Sequence, residues 1–197
     1  MVRLAGSTRE VILDAARTRL LMQGYAGLST RKVAEGADVP LSQLHYHFGG
    51  KQQLILSVLA RENERLLDRQ TRMYDQDLPL WQRYEQACDF LEDDLASGYV
   101  RVLQEMIAAG WSNDGIALAV RALLQGWFAL LGGVLDQAAE RGITVGGVAG
   151  RELATLIGLQ FMGAESLLLL GITEDDVPIR SSLARIGHLL RAAEEAS

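Results

Sequence analysis

The chain has 197 residues, 49% of them hydrophobic and 22% charged, a composition that supports a packed core and excludes a disordered chain. Its single cysteine, Cys88, excludes an internal disulfide and suits a reducing cytoplasm. The net charge of −6 argues against an unspecific nucleic-acid binder, but the charge is unevenly spread: residues 1–54 hold seven Lys/Arg against four Asp/Glu, and the remaining residues hold twelve Arg against twenty-one acids.

With only 3 prolines and plentiful Ala, Leu, Arg, Glu and Gln, the predicted elements are all helical. The N-terminus has no apolar run ahead of a cleavage site, so no secretion signal is expected. A first helix is predicted over 7–23, capped by Ser7 or Thr8 with Glu10 completing the capping box. Its apolar stripe is Val11, Ile12, Ala15, Ala16, Leu20 and Leu21, and Gly24 is a left-handed stop. A short helix over 29–36, capped by Ser29, turns Val33 and Ala34 inward. The turn Gly36–Pro40 follows, then a helix over 41–47 with Leu44 and Phe48 inside. Gly49 and Gly50 break the chain before a long helix over 51–73. A linker at 75–79 leads to helices near 79–96, 99–110, 114–140, 148–170 and 177–195. The sum is about nine helices in an all-α chain: a three-helix head at 1–50 carrying a helix-turn-helix, and a larger helical body at 51–197. The longest apolar run, Leu153–Ile172, is broken by Gln160 and Glu165 and reads as a buried helix and not as a membrane span.

Two short helices joined by a tight turn place the second one for the DNA major groove. On that second helix Leu41, Ser42, Gln43, His45 and Tyr46 point away from the Leu44/Phe48 side. Gln43 can both donate to and accept from an adenine edge, Leu41 suits a thymine methyl, and Ser42 permits close approach. His45, Tyr46 and His47 offer phosphate or base contacts. Thr30 suits a phosphate at a helix start, Arg31 a bidentate guanine contact, and Lys51 a phosphate. His45 and His47, two residues apart on a helix, diverge too far to share a metal, so neither metal nor cofactor is expected.

These residues resemble, in order and spacing, the N-terminal domain of the TetR family of bacterial transcriptional regulators. The resemblance runs from Thr8 to about Leu59, through Gly24-Tyr25, the Ser29–Ala34 helix, Val39, Leu44, His47-Phe48, Lys51 and Leu54. It implies a homodimer that presents two reading helices to a palindromic operator. It places Thr30, His45 and Lys51 at phosphate positions, and Arg31, Leu41, Ser42, Gln43 and Tyr46 at base-reading or groove-lining positions. The chain departs from the usual pattern at Asp38 and Ser42, where glycine is usual, at Pro40, where serine or threonine is usual, and at His45, where tyrosine is usual.

The body resembles the family only in layout. Its helices place aromatic and apolar residues on common faces, the make-up of a small-molecule pocket. Tyr84, Cys88, Gln104, Trp127, Gln160 and Phe161 are the candidate effector-binding residues. Few basic side chains fall on the apolar faces, which favours a neutral, hydrophobic or cationic effector. Helices 148–170 and 177–195, with small Ala154, Gly158, Gly163 and Ala164, are the expected dimer interface, a four-helix bundle formed by two subunits. The body holds one histidine, His188, and no carboxylate–histidine set, so no enzyme is expected. The expectation is therefore a cytoplasmic, ligand-responsive transcriptional repressor that binds double-stranded operator DNA as a homodimer. The alternative is a helical protein-interaction module without specific DNA binding.

Overall fold

Ser7 opens the first helix as expected: its hydroxyl accepts the Glu10 N–H at 3.4 Å. The structure, a computed structural model describing residues 7–197, contains nine α-helices among those residues: α1 Thr8–Gly27, α2 Thr30–Gly36, α3 Leu41–Phe48, α4 Lys51–Tyr74, α5 Leu80–Ser97, α6 Tyr99–Gly110, α7 Asp114–Glu140, α8 Gly150–Leu169 and α9 Ile179–Glu195. The β-structure among the described residues is one isolated antiparallel bridge, Val145 to Val148, in the turn before α8.

Local chemistry explains the boundaries and corrects some of them. In α1 the buried stripe is Ile12, Leu13, Ala16 and Leu20, while Val11 is exposed. The regular helix is interrupted at Gly24, as expected; Thr8–Gly27 joins two helical pieces across a kink at which Gly24 has φ 72° and ψ −178°. That conformation is open essentially to glycine alone and is not the left-handed helical well. Ser29 occupies the N-cap position of α2 without a side-chain capping bond. Pro40 precedes α3 in an extended conformation, where its missing N–H costs nothing.

Asp38, in the turn between α2 and α3, has φ 54°, the one positive value among described non-glycine residues. The usual family glycine would adopt it freely, whereas an L-residue is strained there by about 1–2 kcal/mol, less for Asp and Asn. Asp38→Gly is therefore expected to change stability by no more than about 1 kcal/mol, because relieved strain is offset by the entropy of an unfolded glycine. The same change removes a negative charge beside α3, so it is expected to tighten DNA binding. Thermal denaturation and a binding isotherm of the one variant check both.

Packing groups the described residues into two units. One unit comprises the described residues through Glu64 together with Ser97–Val120, and the other comprises Arg65–Ala96 with Arg121–Ser197. In the first, α1, α2 and α3 bury Leu28, Val33, Ala34, Leu44 and Phe48, and α4 contributes Leu54, Ile55, Val58 and Leu59. Helix α6 packs on α1 and buries Val100, Val102 and Met106. The second unit has its own core of Leu80, Tyr84, Leu91, Leu131, Leu135, Leu153, Ile157, Phe161, Leu183 and Leu190. Gly158 admits the Phe128 ring, whose Cζ would lie 2.9 Å from any added Cβ. Helices α7 and α8 are long and apolar enough to cross a membrane by length and composition, and both give residues to this core.

Candidate DNA-binding surface and effector region

The α3 pattern produces the surface that its period predicts. Leu44 and Phe48 are buried, while Leu41, Ser42, Gln43, His45 and Tyr46 are exposed along the other side. Tyr46 stands out, 82% exposed, its ring steadied edge-on by His47 at 5.1 Å between centroids. Arg31 is also exposed. Its Nε lies 3.5 Å from Glu35 one turn on, a surface pair of small worth that leaves the guanidinium free to turn to DNA. Thr30 is the first residue of α2 and half-buried.

Two expected phosphate ligands carry internal partners. His45 Nδ1 is 3.1 Å from the Gly49 carbonyl. A carbonyl only accepts, so Nδ1 carries the proton, and Nε2 can donate to a phosphate only in the doubly protonated ring. A tyrosine hydroxyl would meet no such condition. Lys51 Nζ donates to the Ala26 carbonyl at 3.2 Å and sits 5.1 Å from the centre of the Tyr25 ring. The ammonium is thus held at the end of α1, with two protons left for a phosphate.

One further cation belongs to this surface. Arg9, in the first turn of α1, lies over the Phe48 ring at 5.3 Å, which brings it to the end of α3. Nothing in the local pattern of α1 signals this, since it depends on how α1 and α3 pack.

The expected effector residues are divided. Gln104 lies in the first unit; Tyr84, Cys88, Trp127, Gln160 and Phe161 lie in the second. Tyr84 is buried, its ring edge-on to Phe161 at 5.9 Å and its hydroxyl donating to the Leu183 carbonyl at 2.9 Å. It borders a cavity of only about 10 Å³. Trp127 Nε1 donates to Gln70 at 2.9 Å. The polar atoms of both rings are thus satisfied from within. A larger cleft of about 280 Å³ lies in the same unit between Tyr74, Arg83, Leu130, Val134, Arg141 and Ile143, and periodicity gave no hint of it.

Burial pushes the Cys88 thiol up to about 11 from an ordinary 9.0, and pushes the Tyr74 and Tyr84 phenols up as well. For acids whose native pKa exceeds the unfolded one, stability is complete below the unfolded value and is lost as pH rises through the native one. The second unit is therefore expected to lose stability from about pH 9 upward, and Cys88→Ser to remove the part lost between about pH 9 and 11. Thermal melts by circular dichroism across that range check it.

A basic three-helix head whose second short helix exposes a polar reading face over a buried Leu44/Phe48 side defines a helix-turn-helix DNA-binding protein of all-α fold. Residues 12–58 match the model of the bacterial regulatory proteins, tetR family. These residues are thus a domain of the tetR type, spanning about a quarter of the chain.

The HTH-type transcriptional repressor KstR of Rhodococcus jostii (strain RHA1) is 43% identical over 58 residues, which are 29% of this chain and 27% of that protein. The chain thus aligns with about a quarter of the length of this curated relative. Among solved structures, a TetR-family transcriptional regulator from Rhodococcus sp. superimposes with a TM-score of 0.75 at 20% identity, covering 93% of this chain and 98% of that one. The regulator FadR from Bacillus subtilis, solved in complex with stearoyl-CoA, gives 0.72 at 16% identity over 90% and 96%. At these identities the resemblance is one of fold.

Proposed function

We propose that the protein is a repressor that binds a palindromic operator as a homodimer and releases it when a small hydrophobic or cationic effector occupies the helical body. The observation that carries the DNA reading is the exposure of Leu41, Ser42, Gln43, His45 and Tyr46 on one side of α3, with Arg31 beside them on α2. In this reading Arg31 and Gln43 read base edges, and Leu41, Ser42 and Tyr46 line the groove. Thr30, His45, Lys51 and the newly recognised Arg9 hold phosphates.

Dimerisation is supported by the outward side of α8. Leu156 and Leu159 are 57% and 56% exposed, and Leu167 and Leu170 continue the stripe at helical spacing past Gly163. Leu189 of α9 is also exposed. Leucines left in water at i, i+3, i+11 and i+14 suit a second copy of the same helix. A hydrophobic effector is supported by an interior in which the polar atoms of Tyr84 and Trp127 already have partners; the cavity of about 10 Å³ beside Tyr84 would have to open to admit one.

The test is a salt-titrated gel shift on the protein's own upstream DNA. A repressor gives a specific complex whose log K falls by about 0.9 per neutralised phosphate for each unit of log salt. A protein-interaction module gives no specific shift, and that result would end the proposal.

A further inference from the structure

The break in α1 opens one particular hydrogen bond, and α6 supplies its replacement. In an unbroken helix the Tyr25 N–H would donate to the Leu21 carbonyl, four residues back. Gly24, with φ 72° and ψ −178°, separates that pair. Arg101 Nη2 donates to the Leu21 carbonyl, and the Glu105 carboxylate accepts from the Tyr25 N–H. Arg101 and Glu105 stand four residues apart on α6, hence on one face, and satisfy the two freed backbone groups together. Each of these half-buried groups would be costly to leave unpaired.

Shape enforces the same register. Any Cβ on Gly24 would meet the Glu105 carboxylate at 2.5 Å. Gly98, the N-cap of α6 with φ 83°, lies directly against the Leu21 carbonyl. The next residues of the clamped turn hold Lys51: its ammonium donates to the Ala26 carbonyl at 3.2 Å and rests over the Tyr25 ring. One turn of α1, Leu21–Ala26, is thus gripped by α6 on its backbone and in turn orients the first residue of α4.

We propose that Arg101 and Glu105 are positioning residues for operator binding: by replacing the broken α1 bond they fix the Tyr25–Ala26 turn, and through it the Lys51 ammonium. A displacement of α6 then reaches the DNA-contacting surface through Lys51. The inference rests on the operator reading above, in which Lys51 holds a phosphate.

The test uses the full chain, its own upstream duplex in a fluorescence-anisotropy titration, and amide hydrogen exchange of residues 21–27. Glu105→Ala is expected to weaken binding about tenfold when Lys51 is present and less than about threefold in a Lys51→Ala background, since the two act through one turn. Glu105→Gln keeps an acceptor for Tyr25 N–H and is expected to stay near the parent protein. Exchange at Tyr25 is expected to quicken in Glu105→Ala and not in Glu105→Gln. Equal losses in both Lys51 backgrounds, or unchanged exchange at Tyr25, would overturn the proposal. A parent protein without specific DNA binding would instead sink the operator reading and the positioning role with it, while the exchange data would still report whether the clamp exists.

Discussion

Replacing Arg31 by alanine is expected to weaken specific operator binding by about 30-fold or more, with little loss of unspecific binding. A bidentate base contact is worth about 1–3 kcal/mol, and a two-fold symmetric dimer makes it twice. Little in the free protein opposes the contact, because the pairing with Glu35 at 3.5 Å is exposed and weak. Gln43→Ala is expected to act similarly and to relax discrimination at one base pair in each half-site. Lys51→Ala, by contrast, removes a phosphate contact, so it should weaken all sequences alike and flatten the salt dependence. Titrations of specific and scrambled duplexes separate the two patterns. Equal effects of Arg31→Ala on both duplexes would remove Arg31 from the base-reading set.

The second large effect is expected at α8. Leu156→Glu with Leu159→Glu places carboxylates where a symmetric partner helix would lie, and each substitution appears twice. An unpaired buried charge costs about 3–5 kcal/mol, so the dimer constant is expected to weaken on the order of 10³-fold or more. Both leucines are more than half exposed in the single chain, so the subunit fold and its helical circular dichroism should stay intact. Sedimentation should show monomers, and operator affinity should fall with them. A dimer of unchanged strength would place the interface elsewhere.

Much of the head was legible because its signals are local. The pair Leu44 and Phe48 alternates with polar neighbours at helical spacing, so the buried and the exposed side of α3 both follow from the sequence. Ser7 and Gly24 mark real events. At Gly24 the event is a break in α1 with an extended, glycine-only backbone, because α6 and not the α1 chain itself completes the hydrogen bonding. That long-range partner is also why the grouping of α6 with the head was not legible. An amphipathic stripe such as Val102 and Met106 reports that a face is buried, but not by what.

The same limit applies to side chains. Nothing near Lys51 in sequence announces Ala26 and Tyr25 as its partners, and Arg9 joins the α3 end only through packing. In the body, aromatic spacing marked Tyr84 and Phe161 as candidate effector residues but could not say that the two rings pack edge-on in the core or that the Tyr84 hydroxyl is taken by the Leu183 carbonyl. Asp38 shows the reverse case. Its departure from the usual glycine was visible in the sequence, and φ 54° shows what that departure costs the turn.

The most direct measurement is hydroxyl-radical footprinting of the protein on its own upstream DNA, with the parent chain and the Gln43→Ala variant side by side. Two α3 helices of a dimer predict two protected segments about 34–36 Å apart, one helical turn, on a roughly palindromic sequence, with protection lost in the variant. Uniform protection along the duplex, or a footprint that Gln43→Ala leaves unchanged, would contradict the assignment of α3 as the reading helix.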